Sequence, residues 1–578
     1  MSTSFARIGV VAVGALAAAS AMAGTNPYFN PLTQSSAIAT PQHVNELNSP
    51  WQMPAGVSAR NLTSLAEIQA DPTQSVTRVE QGPAVPNFAS MFDMVAYDPQ
   101  ARFLFIPQET PYGASLARYD IANDRTDLMF AGDQGAGPWP QNNSTCLIDP
   151  ANPNDLSNCP TWDNDYAAFD PARFSPNGTV LMGEEWAGLG RVVEVLKPLG
   201  PAPANPSAAV LTQGVDYRIL TSFANVSHEG IAFSKKYHNQ VIYFIDEWNS
   251  GSVYALHLKK RGDYLGGGQT FVLSVDAFAA TGGNSALDFG AGSNANAERF
   301  GAATWVPLTD KDGTPLPGIR NPFLDGFFGS PNSATTMGGR GAADDAGGTP
   351  YGRPEDVEVG VLPNGNEILY VATTSEHAVI SIEILQGMKA TVRRFANRQT
   401  PRNLGFPATT GTLDSSDNLA QDALGNIYIV EDEPNSGTVG GDVWFARDTN
   451  NDGVAESIDH FLSIQVAGSE STGLIFHPVE PTKFVLNVMH PDSVLLRDSA
   501  GAFNGFGDAV WEFDISDVVP PTCDDRGRFG SHDRWQPIYN WHTREWINTC
   551  SRDEDFQFIR QLERAGKPAP PWGRWGRN

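Results

Sequence analysis

Four times along this chain an acidic or carboxamide cluster stands directly before a short apolar run. The clusters are Ser227-His228-Glu229-Gly230, Arg353-Pro354-Glu355-Asp356, Asp417-Asn418-Leu419 and Glu470-Ser471-Thr472-Gly473. A charge that repeats at the start of successive strands has its copies brought together when the strands surround a common axis. Carboxylates massed at one spot repel unless cations join them. The repetition therefore predicts a toroid of strands with several metal ions at one mouth.

Composition agrees with that architecture. Fifty-six Gly and 42 Pro in 578 residues, with 18% charged residues, suit many short strands and turns better than long helices. Alternating apolar segments recur as hairpins: Phe103 to Pro107 with Ser115 to Tyr119, Val241 to Ile245 with Gly251 to Leu256, and Glu367 to Val371 with Ala378 to Ile382. Asn426 to Val430 with Gly441 to Phe445, Lys483 to Val488 with Ala509 to Phe513, and the segment Arg173 to Val195 complete about six units. The expectation is an all-β protein, a six-bladed β-propeller over residues 91–520 with long inserted loops and a C-terminal clasp.

The remaining segments are assigned by their composition. Arg7, an apolar stretch from Ile8 to Ala19 and Ala21-Met22-Ala23 form a secretory signal over residues 1–23, with no twin arginine ahead of it. The expectation is export to the periplasm or beyond, with no membrane-spanning segment after cleavage. Residues 24–90 read as an N-terminal extension, the Gly- and Ala-rich 261–351 as an insertion close to Arg353, and the Trp-rich 521–578 as a clasp. Cys146 with Cys159 and Cys523 with Cys550 read as local disulfides, although four cysteines allow three connectivities.

A net charge of −27 makes nucleic acid and anionic membrane poor partners and favours divalent cations. An anionic substrate such as a phosphate ester then needs bound metal and a local Arg to reverse the field. Pro354 restricts Arg353 to extended backbone, which points Arg353 and Glu355 the same way: a guanidinium for phosphate oxygens beside a carboxylate for a hard cation. Acids also follow strands, at Glu109, Glu184-Glu185, Asp246-Glu247 and Glu431 to Glu433, and are expected to ring the channel. His228 and His490 are the histidines nearest the clusters, each a metal ligand, a proton carrier or a structural residue. Asp448-Thr449-Asn450-Asn451-Asp452-Gly453, with Asp459 twelfth, has calcium-loop spacing but strand flanks, and reads as a polar hairpin turn.

The clusters at His228, Arg353, Asp417 and Glu470, followed by Asn487-Val488-Met489-His490-Pro491, stand in the order seen in PhoX-type alkaline phosphatases, which the chain resembles from about Phe103 to Ile515. The resemblance implies a six-bladed propeller that hydrolyses phosphomonoesters at carboxylate-held calcium and iron. It makes Glu109, Glu184, Glu229 and Glu355 metal ligands and Arg353 a phosphate clamp. Asn418 and Glu470 complete the expected ligand set, and His490 joins Arg353 as the expected catalytic pair. One departure bears on the metal: Gly183 stands where the family has its iron-bridging Cys, so the expectation is several Ca2+ ions, with Fe3+ disfavoured, or a centre that has lost activity. The expected partner is a small phosphorylated substrate and the expected state a monomer. The alternatives are a calcium-dependent lactonase or esterase and a non-catalytic calcium-stabilised binding propeller.

Overall fold

The computed structural model describes residues 29–38, 44–70, 90–110, 113–132, 166–185, 190–206, 216–323, 338–423, 425–432, 438–492, 500–502 and 504–518, with the backbone of 538–540 and 545–547. The proposed signal, all four cysteines and the Trp-rich tail beyond those two short strands lie outside the described residues.

Six antiparallel blades surround one axis, each led by an inner strand, with the third and fourth joined at their outer edges into one nine-stranded sheet. The inner strands are Ala96–Tyr97, Phe169–Phe174, His228–Phe233, Pro354–Val361, Ser416–Gln421 and Glu470–Phe476. Their neighbours in order are Phe103–Gln108, Val180–Glu184, Val241–Asp246, Glu367–Thr373, Ile427–Glu431 and Lys483–Met489. The chain is the expected six-bladed propeller. Side chains alternate across each strand, so each sheet buries both faces, and an apolar core forms between every pair of adjacent blades. Phe105, Leu116, Phe169 and Met182 join blades one and two, Tyr243, Val253, Val357 and Val371 join three and four, and Leu104, Ile106, Val485 and Val510 join one and six.

Two sequence-level assignments change. Ser58–Ser64, placed in an N-terminal extension, is the outermost strand of blade six on Ala509–Asp514, and Trp51–Gln52 pairs with the outer strand of blade five, Ser457–Ile464. The ring is thus closed by the chain's early residues. The 261–351 insertion is not structureless: Gly268–Val275 is the fourth strand of blade three, and Gly301–Pro307 bridges it to Lys389–Asn397 of blade four. Its helix Gly338–Ala346 packs behind the mouth, with Arg340 fully buried.

One local irregularity positions the site. Blades two to five each interrupt the inner pairing after the first residue: Phe169↔Glu184 then Ala172↔Met182, His228↔Asp246 then Ile231↔Phe244, Pro354↔Thr373 then Val357↔Val371, and Ser416↔Glu431 then Leu419↔Ile429. Blade one repeats it, from Phe92↔Gln108 to Ala96↔Phe105. Such a bulge leaves residues unpaired and re-aims their side chains. The residues set free are Asp93, Asp170, Glu229, Glu355 and Asp417. In blade six the bulge comes later, between Thr472 and Ile475, and Gly473 occupies the corresponding place, at φ 67°, where a Cβ would sit 2.8 Å from the Asp93 carbonyl oxygen. That inner pair instead runs two residues further, ending at Glu470↔Met489.

Candidate metal centre

The five bulge carboxylates form one ring. Oxygens of Glu229, Glu355 and Asp417 lie within 4.8 Å of one another, and so do those of Asp93, Glu109 and Asp170. A second set stands one residue past each second strand: Glu109, Glu185, Glu247 and Asp432, with Thr374 in blade four and His490 in blade six. Glu109, Glu185, Glu247, Thr374 and Asp432 each donate their backbone N–H to the residue before the first inner pair, at Met91, Ala168, Ser227, Arg353 and Ser415 respectively. Met91, Ala168, Arg353 and Ser415 all have positive φ, between 34° and 54°. Backbone held in that region by non-glycine residues marks a conformation the surrounding structure enforces.

Burial and mutual repulsion act on all these acids. Asp93, Asp170, Glu185, Glu229, Asp417 and Asp432 are each pushed well above the usual carboxylate range, first by desolvation and then by one another. Glu109 rises to about 7 for the same leading reason. Asp93 Oδ1 and Asp170 Oδ1 are buried without a hydrogen-bond donor, which is costly for a carboxylate. A cluster of hard oxygens with buried lone pairs unmet by donors fits cations of the calcium or magnesium type.

Among the described residues, two cationic side chains enter this field. Arg353 Nε bonds Glu247 and lies 3.3 Å from Glu355 Oε1, and its Nη1 is 3.4 Å from Asp432 Oδ2. Its pKa is raised above the ordinary guanidinium value by Glu355 foremost, against the effect of burial. Its backbone is left-handed rather than extended, yet the side chain still meets Glu355 as the sequence led us to expect. His490 Nδ1 lies 2.7 Å from the Gly468 carbonyl oxygen, so it must donate, and Nε2 is 2.9 Å from Glu470 Oε1. Burial opposes its charge, but Glu470 lifts its pKa to about 10. His490 is thereby paired with Glu470 at the mouth.

Glu109, Glu229, Glu355 and Glu470 thus gather at one mouth with Arg353 and His490. Glu184 does not: its oxygens take Arg191 Nε at 2.6 Å and Nη2 at 2.9 Å, plus the backbone N–H groups of Ala167 and Arg191. Glu185 takes the mouth position instead, because consecutive residues at a strand end face opposite ways. Asn418 is also corrected. Its carboxamide oxygen accepts the Gly473 N–H at 2.5 Å and its nitrogen donates to Asp417 at 3.0 Å, so it ties blade five to blade six and orients a neighbouring acid.

Asp93, Asp170, Glu185, Glu247, Asp417 and Asp432 complete the mouth without having been selected as ligands. A signal for the first two exists in sequence: Phe92-Asp93 and Phe169-Asp170 repeat the large-residue-then-acid step of His228-Glu229. His228 itself faces Phe223 and Phe244 inside the blade, and burial drives its pKa down to about 3. A Cβ on Gly183 would stand 2.6 Å from that of His228, so a larger residue there requires His228 to move. In the 448–459 loop, Asp459 is taken by Arg447 at 2.6 Å and the Asp448 oxygens by the backbone N–H groups of Asp452 and Gly453, as in a polar turn. No helix among the described residues is long and apolar enough to cross a membrane.

Comparison with known proteins supports the resemblance read from the motifs. The sequence model for alkaline phosphatase PhoX matches residues 215–492. The structure of Pseudomonas fluorescens PhoX in complex with vanadate, a transition state analogue, superposes with a TM-score of 0.50 at 13% identity, covering 85% of this chain and 98% of that one. A Xanthomonas campestris gluconolactonase covers 85% of this chain and 99% of its own at 9% identity and TM-score 0.34. A putative gluconolactonase covers 83% and 97% at 11% identity and TM-score 0.33. No curated protein sequence matches the chain.

Proposed function

We propose that this chain is an exported, metal-dependent phosphatase that hydrolyses phosphomonoesters at the mouth of its propeller, using carboxylate-held calcium. The observation that carries the reading is a single guanidinium, Arg353, set among Glu247, Glu355 and Asp432 at the edge of a carboxylate ring. An acid ring alone repels a phosphate ester, whereas a fork of N–H donors beside hard-cation ligands binds it. Asp93, Asp170, Glu229, Glu355 and Asp417, with Glu109, Glu185 and Glu470, are the residues that would hold the cations. Divalent cations bound there would supply neutralisation of the phosphate charge and a more acidic water.

The chain's own contribution is orientation and electrostatics. Arg353 turns two phosphate oxygens toward the ring, and the contact with His490 keeps Glu470 aimed. Water adds to phosphorus as the ester oxygen leaves, giving an alcohol and inorganic phosphate. The supports for a phosphoester rather than a lactone are Arg353 and the match of residues 215–492 to the PhoX sequence model.

The test uses the full chain with para-nitrophenyl phosphate, in calcium and after chelation. Turnover that is lost on chelation, restored by calcium and inhibited by vanadate is the expected result. Arg353→Ala should then lower turnover about 100-fold or more, the scale of losing one aligned charge-stabilising donor. Hydrolysis of a lactone but not of the phosphate ester would assign the mouth to the other reaction. Calcium-dependent melting with no turnover of either would leave a binding propeller.

A further inference from the structure

Arg340 is a fully buried cation contributed by the insertion's helix Gly338–Ala346, and it has a place in no reading of the mouth given so far. It grips the end of a strand at two points. Nε and Nη2 lie 2.8 and 2.5 Å from the two oxygens of Asp246, and the guanidinium stands 5.0 Å from the centre of the Trp248 ring. Asp246 and Trp248 are the residues on either side of Glu247, the carboxylate that bonds Arg353 Nε. The same turn holds the Arg353 backbone, because the Trp248 carbonyl accepts the Arg353 N–H at 3.2 Å and Gly251 pairs with Tyr351. Arg353 has φ 47°, a conformation that persists only where neighbours fix it.

We propose that Arg340 is a positioning residue for anion binding: by clamping Asp246 and Trp248 it sets Glu247, and through Glu247 and the Trp248 carbonyl it sets the height and direction of the Arg353 fork. The inference rests on reading Arg353 as the phosphate-binding group. It makes the insertion part of the binding machinery, since the helix that carries Arg340 lies more than 80 residues beyond the strand it fixes. A fork of this kind loses its advantage over a simple ammonium when its orientation is free, so a loosened turn weakens phosphate binding more than it weakens the fold.

The experiment measures binding of inorganic phosphate to the calcium-loaded full chain by calorimetry, with melting temperature alongside. Arg340→Lys keeps a charge against Asp246 but not the two-point grip, and should weaken phosphate binding about ten-fold, the scale of coupling between residues in one network. Arg353→Ala should weaken it further. The double variant should bind no more weakly than Arg353→Ala alone, because Arg340 acts through Arg353. Trp248→Leu, a milder change, should show a smaller loss that likewise disappears in the Arg353→Ala background. Equal fold-losses with and without Arg353, or unchanged phosphate binding in Arg340→Lys, overturns the proposal while leaving the phosphatase reading intact. A wild-type chain that neither binds phosphate nor hydrolyses its esters overturns both.

Discussion

Glu184 and Glu185 are neighbours in the chain and opposites in environment. Glu184 faces outward between blades, where Arg191 and two backbone N–H groups saturate its oxygens; Glu185 faces Glu109 and Glu247 across the mouth. The same division recurs at the ends of two other second strands. Asp246 bonds Arg340 while Glu247 faces the mouth, and Glu431 takes Trp444 Nε1 and the Asp414 and Asp442 N–H groups while Asp432 faces the mouth. Each of these three strand ends thus carries one acid held by nearby protein donors and one turned toward the mouth acids, where Arg353 reaches Glu247 and Asp432. The contrast shows that acid content alone does not make a metal site. What distinguishes the inward set is the number of carboxylates that converge there, only partly offset by Arg353 and His490, which calls for further positive charge.

The largest effect should come from the inward set as a whole. With two groups of three acids able to share ions, chelation should cost on the order of 5 kcal/mol or more of stability, at about 2.7 kcal/mol per ion bound a hundred-fold above its Kd. Scanning fluorimetry with and without calcium checks this. Equal melting temperatures would mean the ring is neutralised by protons, and the comparison between inward and outward acids would collapse.

The next effect separates the two members of one pair. Glu184→Gln leaves Arg191 buried without its counter-charge and should destabilise the fold by about 3–5 kcal/mol, to the same extent with and without calcium. Glu185→Gln should do the reverse: it relieves repulsion, raises the melting temperature of the metal-free protein and shrinks the increment that calcium gives. A calcium-dependent loss in Glu184→Gln would return that residue to the ligand set.

Much of this was legible in the sequence, and the failures have identifiable physical causes. The hairpins and the acids of blades three to five were visible because their bulge acids stand next to Gly, Asp or Asn ahead of clean apolar runs. The acids of blades one and two were hidden behind Phe92 and Phe169, which read as core, and Asp170 is followed by Pro171 rather than by an apolar run. Glu184 entered the ligand set through the family resemblance, and strand periodicity could not decide between it and Glu185, because a sequence gives the period of a strand but not the phase at which it ends. Ser58–Ser64 could not be placed in blade six because its partner strand begins more than 400 residues later. Gly268–Val275 was lost in an insertion whose Gly and Asn content masked one ordinary strand.

A smaller effect tests Asn418, whose role differs from the one expected. Asn418→Ala removes the acceptor for the buried Gly473 N–H and should cost about 1–3 kcal/mol in the metal-free protein as in the loaded one. As a ligand it would instead cost stability only when calcium is present. Melting curves in both conditions decide between the two.

The smallest expected effect lies on the insertion helix, where another adjacent pair repeats the contrast without any metal. Asp345 takes Arg320 Nε at 2.9 Å and Nη2 at 3.0 Å, and although burial works against its charge, its pKa is lowered by those bonds. Asp344 is 3.5 Å from the same guanidinium, and burial pushes it up to about 7. Because the folded value lies above the unfolded one, the stability this group contributes is fully present below about pH 4 and is lost as pH rises through 7. At pH 8 the folded chain carries an ionised, poorly matched carboxylate. Asp344→Asn should therefore stabilise the protein at pH 8 by about 1–2 kcal/mol after allowance for solvent screening, a degree or two in Tm, and change little at pH 4. Asp345→Asn should destabilise at pH 8, because its carboxylate is the one Arg320 holds. If both variants shift Tm in the same direction at pH 8, the protein-donor distinction drawn at the mouth does not extend to this helix.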